Sequence, residues 1–147
     1  MSTAPTVNGQ IIGQAHYATR AVLERLLAET GATFHQSVAL NAAADSDGGI
    51  ERDRLVERMT STLKTDPTTV GAALSELVAQ GLLEQRPADG SRLVLTAAGK
   101  EAHGAQRAGI AGITARLYAD LPAEDLVTAG RVLTEVTARA NAVLAEG

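Results

Sequence analysis

Residues 66–81 carry signals for both the beginning and the end of one short helix. Asp66 can accept hydrogen bonds from the exposed amides of a first turn, and Pro67 suits the first helical position. Gly81 readily adopts the left-handed conformation with which many helices end. The sequence therefore predicts a helix of fixed length, and this limits the folds that are open to the chain.

The two sides of this helix differ in chemistry. Four apolar residues recur at helical spacing on one side, and they are Val70, Leu74, Leu77 and Val78. The other side carries the small or polar residues Thr68, Thr69, Ala72, Ser75 and Glu76. Because an apolar side packs against a core, we predict that the small polar side faces outward.

A hairpin is predicted directly after the helix. Two short runs, 82–87 and 92–96, flank the turn-rich residues 88–91, in which Asp89-Gly90 favours a tight turn. A further amphipathic helix, from Ile50 to about Thr62, precedes the joint at 64–65. Two helices and a hairpin in this order are typical of a winged helix-turn-helix, which places its second helix in the major groove of DNA.

Four other segments have helical periodicity. They run from Gln10 to about Glu29, from Thr33 to near Ala44, from Thr96 toward Ala119, and from the break at 121–125 to the end. We therefore predict a mainly α-helical chain with a small two-stranded antiparallel wing.

The segment 69–100 also resembles the MarR family of bacterial transcription regulators. The resemblance depends on Thr69-Val70, on residues 77–86, on Asp89 and Arg92 in the hairpin, and on residues 95–100. Weaker matches extend it over nearly the whole chain. It implies a winged helix-turn-helix with N- and C-terminal dimerisation helices, and hence a homodimer.

On this basis we expect one domain with three regions. Residues 1–9 form a flexible N-terminus, residues 10–31 and 97–147 form a helical dimerisation region, and residues 32–96 form the DNA-binding lobe. The last helix carries an apolar seam without a partner of its own, which is typical of a dimer interface. The predicted interface residues are Ile11, Ile12, Leu126, Leu133, Val136 and Val143.

Candidate DNA contacts lie on three elements. Small hydroxyl and methyl groups can contact base edges, so we select Thr68, Thr69, Ala72 and Ser75. Basic side chains can bind phosphates, and the candidates are Lys64, Arg54, Arg86 and Arg92. Two plainer interpretations stay open: these are solvated surface groups, or Asp89 pairs with Arg92 and merely closes the turn. The leading turns of the helix lack Arg, Lys, Asn and Gln, which predicts weak direct readout of purines.

A small-molecule effector is implied by the resemblance. A cleft between the first helix, the second helix and the helix after the wing would present His16, Tyr17, Arg20 and His35. Ring stacking and an anion partner suit a phenolic or carboxylate ligand.

Several classes of function lack support. The chain has no cysteine, and no two of its 3 histidines lie at a short ligand spacing. We therefore predict no metal and no cofactor. No catalytic motif is present, and we predict that the protein is not an enzyme. Neither a membrane span nor a secretory signal is indicated, so we expect a cytoplasmic protein.

The sequence thus predicts a homodimeric, sequence-specific DNA-binding transcription regulator, a repressor that a small effector releases. Its partners would be double-stranded DNA with a two-fold related site, a second copy of the chain and the effector. The net charge of -4 keeps an alternative open, a winged-helix dimer that acts through protein–protein contacts with weak or degenerate DNA binding.

Overall fold

The computed structural model describes residues 4–46, 48–86 and 89–147, without the side chain of Asp89. Its helices are α1 (Gly9–Ala28), α2 (Phe34–Ala44), α3 (Arg52–Leu63), α4 (Pro67–Ala79), α5 (Ala97–Tyr118) and α6 (Ala123–Glu146). Its strands are β1 (Ile50–Glu51), β2 (Leu83–Arg86) and β3 (Asp89–Leu95). The chain divides into two compact units, Met1–Ile113 and Thr114–Gly147. Of the predicted flexible terminus, residues 1–3 lie outside the described residues, and Gly9 already belongs to α1.

The mainly helical fold with an antiparallel wing is confirmed, but the wing has three strands rather than two. The strand order is β1-β3-β2, and Ile50 pairs with Leu93 of β3. The prediction that the third helix begins at Ile50 is therefore wrong, because Ile50 and Glu51 are extended and α3 begins at Arg52. A strand of two residues has too little length to show an alternating pattern in the sequence.

The predicted ends of the helix at 66–81, which is α4, are confirmed. The Asp66 carboxylate accepts a hydrogen bond from the Thr69 amide at 2.8 Å, and Pro67 occupies the first helical position. Gly81 has a φ of 75°. The predicted apolar side needs one correction, since Val78 is 37% exposed and Ala73 is buried in its place.

An aliphatic core fixes the inner side of α4. Leu74 and Leu77 are fully buried, and they pack with buried side chains from α2, α3 and the sheet, among them Leu40, Leu55, Met59, Leu83 and Leu93. Because protein cores are close-packed, this contact determines which side of α4 faces outward.

The start of α5 lies against the end of α4. The Thr96 hydroxyl donates to the Gly81 carbonyl at 2.6 Å and accepts from the Gly99 amide at 2.9 Å, as the prediction of a cap at Thr96 requires. A Cβ at position 99 would collide with the Leu82 carbonyl oxygen. Only glycine therefore permits this close approach between helix and chain.

The second unit contains α6, which follows the predicted break. Asp120 has a φ of 63°, and α6 begins after Pro122 with two acids in its first turn. Within the described part of the chain, none of the residues of α6 is buried. Its exposed apolar residues include Leu126, Val127, Leu133, Val136 and Val143.

Across residues 4–46, 48–86 and 89–147, none of the helices combines the length and the apolar character that crossing a bilayer requires.

Candidate nucleic-acid interface

The outward face of α4 is formed by Thr68, Thr69, Ala72 and Ser75, which are all exposed. The structure thus brings the four predicted helix contacts together on one surface. Thr69 has a second role, because its hydroxyl donates to the Asp66 carboxylate at 2.8 Å. The two hydrogen bonds from Thr69 lower the pKa of Asp66 from its ordinary value. The hydroxyl of Thr69 is therefore part of the helix cap as well as of the outward face.

Arg52 fixes the outward face of α4 from the neighbouring helix. Its Nη2 donates to the Gly71 carbonyl and to the Ser75 hydroxyl, both at 3.3 Å. The Arg52 side chain is half-buried. Its main partner is a backbone carbonyl, and any residue at position 71 supplies one, so the sequence contained no direct signal for this contact.

A second contact joins α2 to α4. Gln36 is 3% exposed, and its Nε2 donates to the Glu76 carboxylate at 2.7 Å. The Oε1 of the same side chain accepts from the Thr33 amide at 3.2 Å, and the Gln36 amide donates to the Thr33 hydroxyl at 3.2 Å. This is a capping box at the start of α2. The spacing of Thr33 and Gln36 was a signal for it that the sequence analysis missed.

The two wing arginines contact the loop before β1. Arg86 Nη1 donates to the Gly48 carbonyl at 2.7 Å, and Arg92 Nη1 donates to the Gly49 carbonyl at 3.3 Å. The alternative prediction of an Asp89–Arg92 pair falls on a side chain outside the described residues, as does the wing tip at 87–88. Arg86 is exposed and Arg92 is half-buried.

The remaining basic candidates lie on α3 and at its end. Arg54 and Arg58 are exposed, and Arg58 Nη2 lies 3.5 Å from the Asp45 carboxylate. Arg54, Arg58 and Arg92 together line a cleft of about 330 Å³ at the junction of α3 with β1 and β3. Lys64 is the exposed C-cap of α3 and has the left-handed φ of 54°. Lys64 thus occupies the joint between the two helices of the motif.

The four predicted effector residues lie on α1 and α2. His16 and Tyr17 are exposed on α1, with ring centroids 5.7 Å apart. Arg20 pairs with Glu24 at 3.0 Å and lies over the Phe34 ring, 4.2 Å from its centroid. His35 instead lines a cleft of about 430 Å³ between α2 and α4, which also includes Thr68, Thr69 and Glu76.

Another cleft, of about 410 Å³, lies at the base of the wing. Its lining combines apolar groups such as Ala43 and Val94 with the charged residues Glu84, Arg86 and Lys100. For metals the described ranges offer little, since no group of three or more histidine or carboxylate side chains there could hold an ion.

Comparison with known proteins gives the fold its family context. No family model matches the sequence, and no curated protein matches it. Solved structures do match, and one is the regulator PcaV from Streptomyces coelicolor in complex with its natural ligand, with 25% identity, a TM-score of 0.72 and coverage of 95% of this chain and 99% of that one. The MarR family protein Rv2887 from Mycobacterium tuberculosis, solved with DNA, has 20% identity, a TM-score of 0.69 and coverage of 90% and 98%. CouR from Rhodococcus jostii RHA1, bound to p-coumaroyl-CoA, has 16% identity, a TM-score of 0.73 and coverage of 87% and 89%.

The predicted resemblance to the MarR family is thereby confirmed at the level of the fold. At these identities the likeness establishes the winged-helix architecture.

Proposed function

We propose that this chain is a transcription regulator that binds double-stranded DNA as a homodimer and represses a neighbouring gene. The outward face of α4 is the observation that carries the proposal. Its small polar groups are exposed, while Arg52 and Gln36 anchor the same helix to α3 and α2. A rigid, uncovered helix of this kind suits insertion into a major groove.

In this proposal, different residues contact the bases and the phosphates. Thr68 and Ala72 offer a hydroxyl and methyl groups to base edges, and Ser75 shares its hydroxyl with Arg52. The phosphate contacts come from the basic residues Lys64, Arg54, Arg86 and Arg92. An acidic chain can still bind DNA, because affinity depends on the contacts that are made rather than on the summed charge.

Dimerisation is proposed to occur through α6, together with Ile11 and Ile12 at the start of α1. The apolar row of α6 is left exposed by the described part of its own chain. An isolated helix that exposes such a row is marginal in water, so a second copy is the simplest partner. A two-fold dimer would then read half-sites about one helical turn apart.

We further propose that a small carboxylate effector releases the dimer from DNA. The cleft at the base of the wing is our candidate site, because Lys100 and Arg86 supply two cations against the single carboxylate of Glu84 among its described lining residues, beside the apolar Val94. Binding there would compete with the hydrogen bond from Arg86 to Gly48 and so loosen the wing. Of the residues that the sequence suggested, His16 and Tyr17 offer a second, exposed surface for a phenolic ring.

The test is the selection of bound fragments from the organism's own genome by purified protein at two salt concentrations. We expect affinity to fall by orders of magnitude over a fourfold rise in salt. Arg92→Ala should weaken binding to all fragments alike, whereas Thr68→Val should change which fragments are preferred. Thr68 is a cleaner probe than Thr69, whose hydroxyl also caps α4. The absence of any retained fragment at the lower salt would refute the proposal.

An alternative is a winged-helix dimer that uses the same surface for protein contacts. The observation in its favour is that α4 has no Arg or Lys from Pro67 to Ala79. A contact of this kind would respond weakly to salt, in contrast to phosphate binding. The salt series above therefore separates the two functions.

A further inference from the structure

Three arginines line the cleft of about 330 Å³ between α3 and the sheet. Arg54 and Arg58 reach it from successive turns of α3, and Arg92 reaches it from β3. The pairing of Glu51 with Arg92 in the β1–β3 ladder holds the strand side of the cleft against α3. The three arginines thus line one cleft from two different elements.

The charged residues that line the cleft are mostly basic. Among the residues that the structure describes, its lining has three arginines and one acid, Glu51. Outside the lining, the Asp45 carboxylate is 3.5 Å from Arg58 Nη2. That pair is exposed on both sides, and an exposed ion pair contributes little, so Arg58 can exchange Asp45 for another anion at small cost.

The arginines of the cleft suit a phosphate group. Guanidinium groups bind phosphate oxygens through paired N–H donors, and several of them can surround one tetrahedral anion. Ser46 and the backbone at Gly49 add polar groups to the same lining. Among the described lining residues, a large aromatic ligand would find only the half-buried Ile50 as an apolar surface.

We propose that Arg54, Arg58 and Arg92 together form a site for a single phosphate group. Where that phosphate belongs to a DNA backbone, the inference rests on the proposed function and adds Arg58 to the DNA-binding residues. Where it belongs to a small phosphorylated ligand, the site is independent of DNA binding.

The experiment has a DNA arm and a free-anion arm, both with the full chain. In the DNA arm, the slope of log K against log salt is measured for the wild type, Arg54→Gln, Arg58→Gln and the control Arg107→Gln. The control removes the same charge from an exposed position on α5. Because each proposed dimer has two copies of the site, loss of one phosphate contact per subunit should make the slope shallower by about 1.8 in the two cleft variants and not in the control.

In the free-anion arm, the melting temperature is followed with pyrophosphate against chloride at equal ionic strength. One outcome is that pyrophosphate raises the melting temperature of the wild type and of Arg107→Gln but not that of Arg58→Gln. If the DNA slope of Arg58→Gln is also unchanged, this result would assign the site to a free phosphorylated ligand. Equal slopes and equal anion responses in all four proteins would overturn the proposal. A wild type that binds no DNA but shows the Arg58-dependent anion response would refute the proposed function and leave the phosphate site standing.

Discussion

Replacement of Gln36 by Ala should destabilise the fold and disturb the recognition surface together. The substitution removes the bond to the Glu76 carboxylate at 2.7 Å and the bond from the Thr33 amide at 3.2 Å. Hydrogen bonds to a charged group are worth about 1.5–3 kcal/mol, and we take about 1 kcal/mol because the Glu76 side chain is exposed to water. The cap bond and the void left by a buried side chain add about 1–2 kcal/mol.

The expected loss of unfolding free energy is therefore about 2–3 kcal/mol. For a chain of this size, each 1 kcal/mol lowers the melting temperature by about 2–4 °C, so a decrease of about 5–10 °C follows. Thermal and urea unfolding at one fixed protein concentration would measure it, since the proposed dimerisation would make stability depend on concentration. Glu76→Gln is the matched control, because it keeps an acceptor for Gln36 and should cost less than about 1 kcal/mol.

A double-mutant cycle separates the contact from the void. Gln36→Ala, Glu76→Ala and the double variant should show a coupling free energy of about 1 kcal/mol between the two positions. Additive effects would refute the view that Gln36 anchors α4 through Glu76. Unchanged DNA affinity in a folded Gln36→Ala variant would refute the link between this anchor and the recognition surface.

Three further predictions concern the ends and surfaces of helices. The pKa of Asp66 is lowered in the folded state, so the carboxylate stabilises the fold at pH values above the ordinary pKa of 3.8, and this stabilisation is lost as the pH falls through the folded pKa. The difference in unfolding free energy between wild type and Asp66→Asn, measured by denaturant titration, should therefore change only in that acid range. A difference that varies near neutral pH would contradict the assignment. Gly99→Ala should lower the free energy of unfolding by about 3 kcal/mol, because the new Cβ would meet a main-chain carbonyl. Gly104→Ala, in open space on the same helix, should raise it by about 0.5–1 kcal/mol, as thermal unfolding can measure. Equal effects of the two substitutions would contradict the close approach at Gly99. Leu133→Glu should yield monomers in light scattering, and Val127→Glu, on the opposite side of α6, should not; a dimeric Leu133→Glu protein would argue against the proposed interface.

Local signals in the sequence were sufficient for most of the fold. The limits of α4 could be predicted because Asp66, Pro67 and Gly81 determine the backbone conformation within a few residues of their own positions. The strand β1 could not, because Ile50 becomes extended only through pairing with Leu93. That pairing joins residues far apart in the chain, and two residues provide no pattern of their own.

The candidate site was predictable to the same degree. Helical periodicity was enough to place Thr68 and Ser75 on an exposed face. Of the two anchors of that face, Arg52 was missed because it binds a backbone carbonyl, which every residue supplies, and Gln36 was missed because it binds Glu76 on another helix. The convergence of the arginines on one cleft was also hidden, since two of them come from α3 and the third from a strand that follows α4.

The exposed apolar row of α6 has a consequence for how a gene would respond to the amount of this protein. If only paired copies occupy an operator, and if most copies are single at low abundance, occupancy rises with the square of the protein concentration. A twofold change in expression would then alter operator occupancy about fourfold while copies remain scarce. Such a helix would make repression a threshold response to synthesis and dilution, without any ligand.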